Sequence, residues 1–282
     1  MSFWLLLSGF TQAATWKKVD TGAGPHLTWH KLCTATSLLG KWNRLVPCVS
    51  GFPLTISSST TDYDIFTAAR SSGWDGLTPL SVIVTVNPGV VVGASTTSSY
   101  AMTTGTGWPS GSSISLINNG YIVGRGGSGG YVNNYGSGFP GEAGGPGFHV
   151  LFPVMLTNNG VIGGGGGGGG SGCGPSAGCG GVANLGGGGG GFGTGGVSWQ
   201  GVYGNSGGVY AGGAGVVGYY GGGGGGTGGS LGVPGNPGPP VCLDPFNGVF
   251  AYGAAGGAAG AAIVGNSLIT WVSSGSVYGL IN

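Results

Sequence analysis

Charge is what this 282-residue chain has least of. Seven Lys and Arg stand against six Asp and Glu, 5% of the residues, for a net charge of +1. So weak a field leaves no electrostatic footprint for nucleic acid, whose recognition rests on neutralising phosphates. Apolar runs are short as well, and none reaches the ~18 residues of a membrane-crossing helix. Acids nearly vanish after Asp75, where only Glu142 and Asp244 remain. Saccharide cleavage needs two carboxylates working together, and no local motif supplies them. His149 has no Ser or Asp arrangement nearby that reads as a triad. Matches to Gly-x-Gly-x-x-Gly are trivial in such a chain, and no strand–loop–helix unit follows them. The expectation is therefore no catalytic residue, no cofactor and no enzyme.

Cysteine is sparse and odd in number. Cys33, Cys48, Cys173, Cys179 and Cys242 leave at least one thiol unpaired within the chain. Cys173 and Cys179 flank Gly-Pro-Ser-Ala-Gly and have the spacing to close a small loop. His26, His30, Cys33 and Cys48 have spacings that a metal tolerates, but no C-x-x-C knuckle accompanies them. They read as ordinary packing residues, and no metal site is expected. Phe3-Trp4-Leu5-Leu6-Leu7, with Ala13-Ala14 beyond it, superficially resembles a secretory signal. It lacks a preceding Lys or Arg, and the apolar run is short. It reads instead as a segment that docks on a partner.

What fills the chain is glycine, 74 residues in all. Nine fall in the first 100 positions and 65 in the remaining 182, about 36% against a usual ~7%. Each glycine costs a helix roughly 0.5–1 kcal/mol relative to Ala, so long helices are excluded. A glycine-rich chain ordinarily reads as disorder, but disordered chains are polar, and this one is 40% hydrophobic.

Residues 1–75 hold Trp4, Trp16, Trp29, Trp42 and Trp74 and all four lysines. Leu27–Leu32 and Lys41–Val46 read as strands or brief turns. Asp62–Arg70 is the only plausible short helix, with Asp62 as its cap. From residue 80 a unit recurs: Val86-Asn87-Pro88-Gly89-Val90, Ile117-Asn118-Asn119-Gly120-Tyr121, Thr157-Asn158-Asn159-Gly160-Val161 and Val272-Ser273-Ser274-Gly275-Ser276. Each is an apolar strand, a turn ending in Gly, and a second apolar strand. Asn-Gly offers the positive φ of tight hairpins, so four hairpins are expected. Their irregular spacing argues against a simple solenoid. Ile114 and Leu116 alternate with Ser113 and Ser115, as in a half-buried strand.

Between these units lie glycine tracts at 163–170, 186–191 and 221–226, with looser ones at 124–130 and 253–260. A polyglycine run has no side chain to bury. It orders only as an extended, polyproline-II-like helix whose backbone bonds to neighbouring runs. Gly232-Val-Pro-Gly235-Asn-Pro-Gly238-Pro suits that conformer. Aromatic residues break the tracts, among them Tyr131, Tyr135, Phe139, Phe192, Trp199, Tyr203, Tyr210, Tyr219, Tyr220, Phe246, Phe250 and Tyr252. Amphipathic aromatics on loops diluted with Gly, Ser and Asn have the composition of a paratope.

Tyr121-Ile-Val-Gly-Arg-Gly-Gly-Ser-Gly-Gly130, and Leu156-Thr-Asn-Asn-Gly-Val-Ile followed by polyglycine, carry a resemblance. Over about residues 110–282 the sequence resembles the distal adhesins that cap the long tail fibres of T-even-like bacteriophages. The resemblance implies stacked polyglycine-II helices forming a polyglycine sandwich, with loops between them that recognise a host receptor. It also implies a Trp-containing N-terminal region that attaches to a tail-fibre or tail-tip protein.

The expected fold is thus mainly β and irregular: short hairpins and a polyglycine sandwich behind a small Trp-rich N-terminal domain. Residues 1–110 would attach, with Phe3, Trp4, Trp16, Trp29 and Trp42 as fibre contacts. Residues 111–282 would bind the receptor through Tyr131, Tyr135, Phe139, Trp199, Tyr203, Tyr210, Phe246 and Tyr252. The receptor would be a bacterial outer-membrane protein, a pilus or a polysaccharide; scarce charge argues against a strongly anionic saccharide. The protein would be made in the host cytoplasm and reside in the virion as a monomeric cap or a homotrimer. A glycine-rich surface or matrix protein and an ice-binding polyproline-II bundle are the alternatives. The first favours regular short repeats and the second a strict three-residue glycine period, of which only Ala254–Ala262 has a hint.

Overall fold

The computed structural model describes residues 51–131, 138–172, 185–196, 204–216, 224–239 and 253–282, and the backbone alone of the strands within 1–50 and 242–251. The chain divides into two compact units, Met1–Gly51 and Phe52–Asn282. In the first, β1 (Leu6–Leu7) pairs antiparallel with β2 (Phe10–Thr11). Strands β3 (Ala14–Val19), β4 (Thr28–Ala35) and β5 (Arg44–Pro47) form an antiparallel sheet in that order. Here the strand assignments at 27–32 and 41–46 hold, shifted by a few residues.

The second unit is built from five strand triplets. The first is β6 (Phe52–Ile56), β7 (Thr60–Thr61) and β8 (Tyr63–Asp64), followed by helix α1 (Ile65–Ser71). Next come β9 (Ser81–Val86), β10 (Val91–Gly93) and β11 (Met102–Thr103), then β12 (Ser113–Asn118), β13 (Tyr121–Val123) and β14 (Phe148–His149). The fourth opens with β15 (Val154–Asn158) and β16 (Val161–Gly163). It makes a long excursion through the antiparallel pair β17 (Cys242–Asp244) and β18 (Gly248–Ala251), then closes with β19 (Ala261–Val264). The last is β20 (Ile269–Ser273), β21 (Ser276–Tyr278) and β22 (Leu280–Ile281). Equivalent strands pair in parallel, giving three five-stranded sheets ordered β6-β9-β12-β15-β20, β7-β10-β13-β16-β21 and β8-β11-β14-β19-β22. The result is a three-sided parallel β-solenoid of five coils.

Register explains the stacking. Leu54, Val84, Leu116, Leu156 and Trp271 form one inward row; Val92, Ile122, Ile162 and Val277 form a second; Met102, Phe148 and Ile263 form a third. Val84, Leu116, Leu156, Val92, Ile122, Ile162, Met102, Phe148 and Ile263 are fully buried. The Ser113–Leu116 alternation is as expected, with Ile114 and Leu116 inside. Beside helix α1, Trp74 and Trp108 stack 5.1 Å apart, and Phe66 sets its edge against both. The helix cap is Asp64, whose carboxylate accepts from the Thr67 N–H at 2.7 Å. Asp62, expected there, instead adopts φ 53° and accepts from the Ser95 N–H.

Two expectations are overturned. The four Asn-Gly-type turns are not hairpins, because the strands on either side lie in different sheets. Gly89 and Gly275 have positive φ, but Gly120 and Gly160 do not. Glycine is needed at 120 and 160 because the corners stack. A Cβ on Gly120 would sit 2.6 Å from the Asn87 carbonyl oxygen, and one on Gly160 would fall on that of Gly120. Nor does irregular spacing exclude a solenoid. The longest additions enter at one corner, between the second and third sheets, where the connections are residue 62, 94–101, 124–147, 164–260 and residue 279. The corner leading to the next coil varies less, with 65–80 (including α1), 104–112, 150–153 and 265–268.

Candidate functional site

The insertions 124–147 and 164–260 bond to each other mainly through backbone, in steps of three residues. Residues 164–171 lie at their centre. The N–H groups of Gly165, Gly168 and Ser171 donate to Gly145, Glu142 and Phe139; those of Gly166 and Gly169 donate to Gly190 and Gly187; those of Gly167 and Gly170 donate to Val233 and Asn236. Their carbonyls accept in the same rhythm. Gly166 and Gly169 take Gly127 and Gly130; Gly164, Gly167 and Gly170 take Gly232, Gly229 and Gly226; Gly165, Gly168 and Ser171 take Gly260, Gly257 and Ala254. All of these bonds are 2.7–3.3 Å long. This run therefore has six neighbouring segments, and no direction is left for a side chain. That is why 163–170 is unbroken glycine. Outer segments face solvent on one side and admit Pro140, Glu142, Ala143 and Pro146 in one case, and Ala255 and Ala258 in another.

The runs alternate in direction, so their ends collect in two layers. In the layer beside the solenoid, Gly124 donates to Gly163, Gly164 to Tyr278, Gly232 to Gly164, and Leu231 to Tyr210. In the other layer, Phe139 donates to Tyr131, Ser171 to Phe139, Ala254 to Ser171, and Gly238 to Ala254. Gly186 there donates to Gly130, Gly196 to Gly186, Gly204 to Gly196, Val216 to Leu185, and Gly225 to Val216. This second layer gathers the chain ends that flank 132–137, 173–184, 197–203, 217–223 and 240–252. It is the candidate site.

Of the residues singled out from sequence, Tyr131 and Phe139 stand in this layer. Their rings stack at 4.4 Å and 5°, and the Ser171 hydroxyl donates to the Phe139 carbonyl. Tyr131 remains 47% exposed. Tyr210 stands in the opposite layer. It packs edge-on to Tyr121 at 5.5 Å and to Tyr278 at 6.4 Å, so it is not brought together with Tyr131. The hydrogen-bonding Tyr121 phenol, together with burial, pushes the Tyr210 hydroxyl up to about 12. Tyr135, Trp199, Tyr203, Phe246 and Tyr252 lie outside the described residues, as do Phe3, Trp4, Trp42, His26, Cys48, Cys173 and Cys179. Trp16 and Trp29 fall within β3 and β4.

One polar cleft adjoins the runs. Thr96, Thr97, Arg125, Gly126, Ser128 and Glu142 line about 210 Å³. The Thr97 hydroxyl donates to Glu142 Oε1 at 2.6 Å and the Ser128 N–H to Oε2 at 3.2 Å. Burial raises the Glu142 carboxyl, but the Thr97 and Ser128 bonds and the Arg125 charge outweigh it and hold the group below its ordinary value. A carboxylate depressed in the native state stabilises above its unfolded pKa, and that stability is lost as pH falls through the folded value. Glu142→Gln should therefore flatten the decline in melting temperature between about pH 5 and pH 3, a difference that calorimetry on both proteins would show. His149 stacks on Tyr100 at 4.1 Å, and burial lowers its pKa.

Sequence reasoning missed the buried asparagines. Asn118 Nδ2 donates to Asn158 Oδ1 at 2.8 Å, and Asn158 Nδ2 donates to the Ser274 carbonyl at 2.6 Å. The signal was present: both end the first strand of their unit.

The solenoid thus carries a backbone-bonded insertion whose chain ends at 131, 138, 172, 185, 196, 204, 216, 224 and 239 gather in one layer. The profile of the phage tail fibre adhesin Gp38 matches residues 51–282, and the chain belongs to that family. The match begins well before residue 110, taking in the first two coils. The chain is also similar in structure to the gp37-gp38 adhesin tip complex of the bacteriophage S16 long tail fiber, with a TM-score of 0.58 and 26% identity over 82% of each chain. No curated protein matches it.

Proposed function

We propose that this chain is a non-catalytic tail-tip adhesin, binding a bacterial surface receptor through aromatic loops launched from one end of a polyglycine sandwich. The three-residue bonding step supports that sandwich, because a polyglycine-II helix completes a turn every three residues. The observation that carries the function is the layer of bonds gathering the bases of five loop segments. Tyr131 and Phe139 at its edge, with Tyr135, Trp199, Tyr203, Phe246 and Tyr252 in the segments beyond, form the receptor-binding set. Tyr210, in the opposite layer, fastens the insertion to the solenoid.

Residues 1–110 attach the protein to the fibre, with Phe3, Trp4, Trp16, Trp29 and Trp42 as contacts. The pairing of gp37 with gp38 in the S16 tip supports a fibre protein as partner. Purified protein should adsorb to a narrow set of bacterial strains and lose adsorption on host mutants lacking one surface structure. Equal binding to all strains, or to none, would sink the proposal. Replacing Trp199 and Tyr203 together by Ala should weaken adsorption about tenfold or more while the melting curve stays unchanged.

A further inference from the structure

The first unit differs from the second in charge and in kinship. Met1–Gly51 carries Lys17, Lys18, Lys31, Lys41 and Arg44 against Asp20, a net +4, whereas Phe52–Asn282 carries two cations against five acids, a net −3. The family match starts at residue 51, so the cationic unit lies almost wholly outside it. Within its sheet, register pairs Trp16 with Lys31, Lys18 with Trp29, and Ala35 with Arg44. Paired positions share a face and successive ones alternate. Trp16, Trp29, Lys18, Lys31 and Arg44 therefore belong to one face, and Lys17 to the other.

We infer that this face docks on an acidic protein surface, that of the fibre end to which the chain attaches; the inference rests on the attachment reading above. Tryptophan with Arg is the composition of a protein–protein hot spot. Three cations are too few for the dense basic footprint of nucleic-acid binding or for a polybasic lipid-binding cluster. Complementary charge acts mainly on the encounter, so its signature is a salt-dependent association rate.

The test uses the full chain and tail fibres purified from virions made without it. The wild-type association rate should fall about tenfold between about 50 and 200 mM NaCl. Lys18→Glu with Lys31→Glu should lower the low-salt rate about tenfold and flatten the salt slope. Lys17→Glu, on the opposite face, should change the rate less than about twofold, and Lys18→Arg with Lys31→Arg should retain it. If the glutamate pair disturbs folding, Lys18→Gln with Lys31→Gln should show the same ordering. Fibre binding insensitive to salt, or a Lys17 variant as damaged as the pair, overturns the inference while attachment stands. No binding of the wild type to fibres overturns the attachment reading itself. Faster association with purified lipopolysaccharide or duplex DNA than with fibres overturns the choice of an acidic protein.

Discussion

Gly188→Val should leave the glycine-rich insertion unable to assemble, with loss of the wild-type melting transition. A Cβ at 188 falls on the Gly193 carbonyl oxygen, which is backbone and has no rotamer to change. The Gly188 N–H donates to Asn205 at 2.9 Å, and its carbonyl accepts from Gly213 at 2.7 Å, so moving the run aside breaks both bonds. Overpacking a side-chain core costs about 1–3 kcal/mol because neighbours adjust. Here nothing adjusts, and the cost exceeds that range. Gly208→Ala is the matched control, since nothing lies within 4 Å of its added Cβ. Thermal unfolding of the two variants checks the claim: equal melting curves would mean that the runs are not close-packed.

The second large effect is at Asn158. It is fully buried, and Asn158→Leu removes the acceptor of Asn118 Nδ2 and the donor to the Ser274 carbonyl. Asn118 Nδ2 keeps its bond to the Val161 carbonyl, and the exposed Ser274 carbonyl can turn to water. One buried N–H is thus left without an acceptor, and the loss should be about 1–3 kcal/mol by chemical denaturation. Val86 holds the corresponding position one coil earlier and is equally buried. Asn118→Val with Asn158→Val should therefore destabilise by less than the sum of the single changes. Additive losses would show that the asparagines do not act as a pair.

Much of this could be read from residues alone, and the failures have physical causes. The apolar segments flanking Gly89, Gly120, Gly160 and Gly275 are the first and second strands of four coils. Their local chemistry says that the chain bends there. It does not say whether the next strand folds back on the last or continues onto a new sheet, which long-range pairing decides. The first coil lacks that signal, because Ser57-Ser58-Ser59 stands where every later coil carries a glycine. The glycine runs are joined backbone to backbone, a kind of order that needs no side chains. Tyr210 and Tyr131 look alike in sequence, each an aromatic between glycines. Only the alternating direction of the runs places them at opposite ends.

Bonding in steps of three also imposes a reading frame on the insertion. Hydrogen bonds between main chains are indifferent to which side chains follow, so the segments beyond 131, 172, 196, 216 and 239 can change in length and composition without altering their base. The runs themselves have no such freedom. Adding one residue turns everything after it by a third of a revolution and presents each carbonyl to the wrong neighbour, whereas adding three restores the match. Within the runs, length can therefore change only in threes.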